Sequence, residues 1–292
     1  MDGSPSDKAK PKQSPAERRA RQRAANTGRA EKMHVARLAD TPPLPATEPP
    51  RLNIGCSGWF YWDWKGGFYP TQMPTNQWFP HYADHFGTVE INASFYSWPT
   101  VAAVRKWAEP VRDRDFRFTV KVSELITHVR RFDDVRELIQ DFGYIADLLG
   151  PHMGCFLFQL PASFTYSPER LDAIVSQVDP RRRNVVEFRH ASWWNDTVRA
   201  AFRDAGVIFC TVSGPNLPDD LMVTSDEIYL RFHGAENWYR DDYGDAALTD
   251  WTDRIGQSGA KRVWAYFNNT MRGHAIHNAQ DLRQRLSAQT RI

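Results

Sequence analysis

From Arg51 onward, short apolar runs alternate with longer stretches whose apolar residues recur every three or four positions. That rhythm predicts strands alternating with helices. The strands are expected at Leu52–Ser57, Thr88–Ala93, Phe116–Val122, Met153–Leu160, Asn184–His190, Gly206–Val212, Glu227–Phe232 and Arg262–Asn268. The helices are expected at Thr75–Phe86, Pro99–Val111, Val135–Leu149, Pro168–Gln177, Asn195–Ala205, Ala246–Gln257 and Gly273–Leu286. Punctuation agrees: Thr100 suits a helix cap, Gly150-Pro151 a helix stop, and Pro168 a first turn. Between Ser213 and Ser225, Pro215 and Pro218 interrupt any helical pattern. Eight strands alternating with helices over about 240 residues predict an α/β fold, the (β/α)8 TIM barrel. The competing doubly wound sheet lacks its sign, a glycine-rich dinucleotide loop after the first strand.

Several strands are polar on one face. Val186 and Phe188 point one way in Asn184–His190, Glu187 and Arg189 the other, because strand side chains alternate. Val89 and Ile91 oppose Glu90 and Asn92 in the same manner; Phe118 and Val120 oppose Arg117, Thr119 and Lys121; Leu230 and Phe232 oppose Tyr229, Arg231 and His233. In a barrel the apolar face meets the helices and the polar face the interior. Late positions in each strand fall at the C-terminal mouth, where barrel enzymes place their sites. Glu90, Asn92, Lys121, Gln159, Glu187, Arg189, Arg231, His233, Tyr266 and Asn268 are therefore expected in one cavity. One such residue would be an ordinary satisfied polar group. Ten converging groups point to a ligand, since unpaired buried charge costs several kcal/mol.

Charge suggests the roles. Lys121, Arg189, Arg231 and Arg272 suit an anion such as phosphate or carboxylate. The loop Asn268-Asn269-Thr270-Met271-Arg272-Gly273 leads into a helix, a place where this fold often holds phosphate. Glu90 and Glu187 are the candidate general acid or base, with His233 as a second proton carrier. The plain alternative is that the Glu and Arg groups merely neutralise one another. Glu90, Glu187, His190 and His233 could also ligate a divalent ion, but tight ligand spacing is absent and His190 has outward parity. No metal is assigned and no cofactor identified. Trp59, Tyr61, Trp62, Trp64, Trp193, Trp194, Trp238 and Tyr239 fall in loops at the same mouth. They suit sugar rings or flipped bases, although loop packing accounts for most of them.

Composition adds a boundary. The chain has 292 residues and 41% hydrophobic content, enough for one large core. Residues 1–50 contain no aromatic residue and are rich in Ser, Pro, Ala, Lys and Arg. They are expected to be a disordered basic, Pro-rich tail, with a transient helix over Ala16–Arg37 and a linker over Thr41–Pro50. The tail carries net charge +4 and the rest −2, which argues against a broad phosphate footprint on the folded domain 51–292. Cys56, Cys155 and Cys210 lie in apolar runs and read as buried reduced thiols, with Cys56 as a remote candidate nucleophile. No run is apolar enough for a membrane span and no signal-type segment opens the chain, so a soluble cytoplasmic protein is expected.

A series of short motifs resembles one family. Gly55-Cys56-Ser57-Gly58-Trp59-Phe60-Tyr61 with Phe68-Tyr69-Pro70, then Val89-Glu90-Ile91-Asn92-Ala93-Ser94-Phe95-Tyr96, resemble the opening signatures of the YecE-like family, domain of unknown function 72. Phe118 to Lys121 with Ile126-Thr127-His128, Phe158-Gln159-Leu160-Pro161, Val186-Glu187-Phe188-Arg189-His190, Arg231-Phe232-His233-Gly234 and Tyr266-Phe267-Asn268-Asn269 continue the series in order, across about Arg51 to Leu286. The resemblance implies a TIM barrel and supplies no established reaction. It adds His128, in the loop after the third strand, to the mouth. Three functions are then expected to compete. The first is an enzyme that binds a small anionic or sugar-phosphate-like molecule and uses acid–base chemistry. The second is a nucleic-acid binding or phosphodiester-cleaving barrel. The third is a non-catalytic ligand-binding module.

Overall fold

The computed structural model describes residues 14–40, 48–49 and 51–289. Eight parallel strands close into a barrel in sequence order: β1 Leu52–Cys56, β2 Thr88–Ile91, β3 Arg117–Lys121, β4 Met153–Gln159, β5 Asn184–Glu187, β6 Ile208–Ser213, β7 Glu227–Phe232 and β8 Arg262–Phe267. Each expected strand is present. β5 ends earlier than expected, at Glu187, because the chain then bends into a short turn where the His190 ring accepts the Ser192 N–H at 3.2 Å. The helices are α1 Pro15–Ala39, α2 Trp78–His85, α3 Ala93–Tyr96, α4 Val101–Ala108, α5 Arg136–Leu149, α6 Pro168–Gln177, α7 Asp196–Ala205, α8 Asp245–Gln257 and α9 His274–Gln289. Thr100 caps α4 by accepting from the Ala103 N–H, and Ser167 and Asn195 do the same for α6 and α7. The β6–β7 connection holds no helix, as its prolines require.

The seam between β1 and β2 is narrow, with Cys56 opposite Val89 as its one register pair. The Tyr82 hydroxyl of α2 fills the gap: it accepts from the Cys56 N–H at 2.8 Å and donates to the Thr88 carbonyl at 2.9 Å. Gly55 makes room for that wedge, since a Cβ there would lie 2.4 Å from the Thr88 oxygen.

Outward-facing rings pack on the helices: Phe188 lies 5.9 Å from Phe202 of α7, and Phe232 meets Trp251 of α8 edge-on at 5.3 Å. The barrel interior is itself packed. Cys155, Leu157, Val185, Cys210, Tyr229 and Tyr266 form part of a separate apolar plug at mid-height. Below it, Glu227 accepts from Arg183 at 3.0 Å, Arg262 at 2.6 Å and the Trp264 indole at 2.8 Å, closing the N-terminal end with paired charge. The mouth is therefore a shallow basin on a solid floor.

The expected disordered tail gives way to order over Pro15–Ala39. These 25 residues form α1, opened by a capping box between Ser14 and Glu17. Its buried positions are Asn26, Ala30 and Met33, one stripe at helical spacing. Asn26 accepts from the Trp98 N–H at 3.0 Å and donates to the Tyr96 carbonyl at 3.1 Å. Arg19 and Arg23 reach the buried Glu124, and His34 and Arg37 reach the buried Asp141. Only two of the three buried residues are apolar, so the stripe is faint in the hydrophobic pattern. Hydrogen bonds and ion pairs to the barrel supply much of the docking instead. The expected linker, Thr41–Pro50, lies almost wholly outside the described residues.

Candidate functional site

At the C-terminal mouth, Arg231 of β7 spans the interior to two other strands. Its Nε and Nη2 donate to Glu90 of β2 at 3.0 and 2.5 Å, and its Nη1 donates to Glu187 of β5 at 2.6 Å. All three side chains are essentially inaccessible to solvent. Glu90 also accepts from the Ser57 hydroxyl at 2.8 Å and the Tyr229 hydroxyl at 2.6 Å. Four donors fill the lone-pair positions of that carboxylate. Ser57 and Tyr229 were not among the expected site residues. The signal for both is inward parity alone, which on a short hydroxyl or a ring says little about partners.

Glu187 is held by a second guanidinium, that of Arg189, which bonds its Oε1. Burial by itself would raise the Glu187 carboxyl. Arg189 and Arg231 outweigh it and hold the group well below the usual carboxylate range. Arg189 also donates to His233 Nε2 at 3.0 Å and lies over the Trp238 ring at 4.6 Å. His233 is pushed down to about 3, by burial first and then by the two arginines, so its imidazole is neutral at pH 7. Since Arg189 can only donate, Nε2 is the acceptor and Nδ1 carries the proton. Asn268 Nδ2 lies 3.0 Å from Nδ1; turning that amide over brings its oxygen to Nδ1 to accept the proton.

Lys121, at the end of β3, is 8% exposed. Its Nζ lies 4.1 Å from the centre of the Phe95 ring, and the His128 ring meets the same ring at 82°, with centroids 4.9 Å apart. Burial lowers the Lys121 amine to about 7, and the Arg231 charge adds to that against the opposing pull of Glu187 and Glu90. His128 is lowered to about 4 by burial and by Lys121. Asn92 sits between Arg231, which approaches its Oδ1 at 3.4 Å, and a rim cavity of about 210 Å³ that Ser57, Trp59 and Tyr61 also line. Gln159 stays half-buried at the end of β4.

Two expected members lie elsewhere. The Tyr266 hydroxyl is tied to Thr88 and Thr119 at 2.7 and 2.9 Å, in the packed floor beneath the basin. Asn269 turns away from the mouth and donates to the Asp241 carbonyl and to Asn278, both at 2.8 Å, pinning the loop after β8 to the loop after β7. Parity placed Tyr266 on the inner face but not its height, and Asn269 follows the strand, where parity no longer applies. Arg272 is exposed on its loop, in the left-handed conformation. His190 is exposed and bonded to Ser192 at 2.8 Å, so it does not join Glu90, Glu187 and His233. Among the described residues no three His, Cys, Asp or Glu side chains group as metal ligands. All three cysteines are free and buried, and burial pushes the Cys56 thiol far up.

The loops divide the rim aromatics. Trp64 and Trp193 are buried packing residues, with indole N–H bonds to the Thr270 and Phe164 carbonyls. Phe60, Trp62, Tyr96 and Tyr239 are exposed around the basin; Phe60 and Tyr96 were not among the aromatics expected there. Gly214 leaves space for Trp238, whose ring would lie 3.0 Å from a Cβ there.

An eight-stranded α/β barrel whose C-terminal mouth holds a buried Glu–Arg–Glu–Arg chain is thus the class of protein that fold and geometry define. Comparison with known proteins places it further. The sequence model of the family described as "Protein of unknown function DUF72" matches residues 53–292, and the chain belongs to that family. It is 25% identical over 267 residues to UPF0759 protein YunF of Bacillus subtilis (strain 168), covering 79% of this chain and 93% of that one. It is 34% identical over 116 residues to UPF0759 protein YecE of Escherichia coli (strain K12), covering 39% and 42%. Among solved structures, a DUF72 family protein of Thermotoga maritima superposes with a TM-score of 0.72 at 26% identity, over 82% of this chain and all of that one. One from Enterococcus faecalis gives a TM-score of 0.69 at 21% identity, over 81% and 95%, which bears on the fold alone. Helix α1 lies outside the matched residues 53–292. Among the described residues no helix is long and apolar enough to cross a membrane.

Proposed function

We propose that the mouth binds a small anionic, sugar-like molecule and acts on it by proton transfer. The observation that carries this reading is the layering of charge. Both carboxylates are wholly buried, while the side chains that keep some exposure above them are donors: Lys121, Arg189, Asn92, Gln159 and Asn268. A ligand entering from solvent meets cations and amides, with the negative charge beneath already paired. That suits carboxylate or phosphate oxygens. The acid–base roles then shift from those expected. Glu90, with four donors, positions Arg231 rather than the substrate. His233, neutral, holds Arg189 in place. Glu187, paired with two arginines, orients Arg189, and Lys121 remains as the group able to exchange a proton with a bound molecule.

The test is thermal denaturation with inorganic phosphate, sugar phosphates and small 2-oxo acids, using the full chain and Arg189→Met. The expected result is a rise in melting temperature with at least one compound, reduced in the variant. A panel that shifts neither protein removes the reading. Binding without turnover of any compound would make the protein a ligand-binding module.

A second reading, single-stranded nucleic acid, draws on the exposed rings of Phe60, Trp62, Tyr96 and Tyr239 and on the exposed Arg18 and Arg21 of α1. It requires salt-sensitive binding of an oligonucleotide by the full chain, measured by fluorescence anisotropy. Absence of binding at low salt eliminates it.

A further inference from the structure

Glu90 and Glu187 neutralise Arg231 and Arg189 among themselves, and Lys121 is left over. Its side chain is about nine-tenths buried, lies against the Phe95 ring, and has no hydrogen-bonded or ion-paired partner among the described residues. A buried ammonium in that position is costly unless something neutralises it. A buried free amine costs far less, and its lone pair is available. The other nucleophiles of the region are engaged or hidden: the Ser57 hydroxyl donates to Glu90, and Cys56, Cys155 and Cys210 are buried thiols.

We propose that Lys121 is a Schiff-base-forming nucleophile, and that the molecule taken at the mouth is a small carbonyl compound bearing a carboxylate or phosphate. This deepens the anion-binding reading above and rests on it. The lowering of the Lys121 amine to about 7 supplies a substantial free-amine fraction at neutral pH. The amine lone pair attacks the carbonyl carbon and a C–N bond forms, while the C=O π pair moves to oxygen. The nitrogen gives up a proton to solvent and the oxygen takes one. A second proton on that oxygen lets it leave as water, and the nitrogen lone pair closes the C=N bond of a cationic iminium. One water is released and nothing is oxidised or reduced. The iminium carries the same charge the ammonium did, so the Glu–Arg chain below need not rearrange. The substrate's anionic group falls to Arg189, which keeps partial exposure beside Trp238. An iminium withdraws electrons from the neighbouring carbon, so the reaction class is enolisation or carbon–carbon bond cleavage next to the former carbonyl.

Sodium borohydride traps such an adduct. The full-length protein is incubated separately with pyruvate, with dihydroxyacetone phosphate and with inorganic phosphate as a non-carbonyl control. It is then reduced, digested and mapped by mass spectrometry. The expected result is labelling of Lys121 by one carbonyl probe about tenfold or more above the exposed Lys65 and Lys106, and none with phosphate. Lys121→Arg and Lys121→Met, each checked for folding by circular dichroism, are expected to abolish it. Preference for pyruvate assigns the carboxylate class, and preference for dihydroxyacetone phosphate the phosphate class. Labelling of Lys121 no greater than that of Lys65 overturns the Schiff base. If the probes still raise the melting temperature in that case, the anion site survives; if they do not, both readings fail.

Discussion

Arg231 grips Glu90 from across the barrel, with Nε on one carboxylate oxygen at 3.0 Å and Nη2 on the other at 2.5 Å, both side chains sealed from solvent. A two-pronged bond of this kind fixes the guanidinium plane, and the third nitrogen is thereby aimed at Glu187. Arg231→Met is expected to destabilise the protein by about 3–5 kcal/mol, because it strands two buried carboxylates. Glu90→Gln combined with Arg231→Met is expected to cost less than the sum of the single changes, with a coupling on the order of 1–3 kcal/mol. Urea denaturation of the four proteins measures this cycle. Additive costs would mean that the two groups do not stabilise each other.

Acid should destabilise the protein through His233 before it does so through Glu187. The His233 imidazole takes its proton at about 3 in the fold against 6.5 ordinarily, so on acidification the unfolded chain binds that proton first. Stability from this group is complete above pH 6.5 and is lost as pH falls towards 3. Glu187 is also lowered, so its contribution is present above 4.5 and goes only as pH falls below that. Between pH 6.5 and 5 the histidine acts alone of the two. His233→Gln is expected to flatten the pH dependence there by about 2 kcal/mol, from roughly 1.4 kcal/mol per pH unit. Parallel denaturation curves for the two proteins across this window would contradict the buried neutral imidazole.

The barrel was legible because its strands are two-faced. Val89 and Ile91 against Glu90 and Asn92, or Leu230 and Phe232 against Arg231 and His233, give both the parity and the inward side. What parity cannot supply is depth and partnership. Tyr266 has the inward parity of Asn268 but lies a layer lower, with its hydroxyl spent on Thr88 and Thr119. Glu90 and Glu187 look alike as isolated letters, yet Glu90 has four donors and Glu187 shares its oxygens between two arginines. That difference arises from contacts between strands far apart in the chain. Helix α1 was legible as a helix over Ala16–Arg37, but its docking was not: an asparagine occupies the centre of its buried stripe, where a hydrophobic pattern is silent.

Lys121 should act on stability in the opposite pH range from His233. Its ordinary value of 10.5 falls to about 7 in the fold, so between these values the unfolded chain holds a proton that the folded one has released. The penalty is full below pH 7 and fades as pH rises to 10.5. Burial is the main cause; Arg231 and Arg189 add to it, Glu187 and Glu90 oppose it, and His128 beside Phe95 is neutral. Lys121→Met is therefore expected to stabilise the unliganded protein, most at pH 7 and below, with its advantage shrinking towards pH 10. At about 1.4 kcal/mol per pH unit the ceiling is about 5 kcal/mol. Melting temperatures of both proteins from pH 6 to 10 test it, and an advantage that grows with pH would reverse the assignment.

Helix α1 is expected to hold the loops on one side of the mouth. Asn26 is fully buried and occupies two backbone groups at the C-terminal end of α3, the Tyr96 carbonyl and the Trp98 N–H. Arg29 bonds the Ser97 hydroxyl between them. Next to Tyr96, Phe95 lies under the end of the Lys121 side chain and meets the His128 ring at a near-perpendicular angle. Arg19 and Arg23 fasten Glu124, two residues before the π-helical turn's Ile126 and four before His128. Asn26→Ala removes the partner of the buried Trp98 N–H and of the Tyr96 carbonyl, at about 1–3 kcal/mol. The helix itself should persist, since alanine favours it. Local opening is then expected to exceed global loss: amide hydrogen exchange at Ser97 and Trp98 should accelerate by about tenfold or more, while β4–β6 amides change little. If exchange rises uniformly through the barrel, α1 contributes only general stability. If it rises nowhere, Asn26 does not hold this segment.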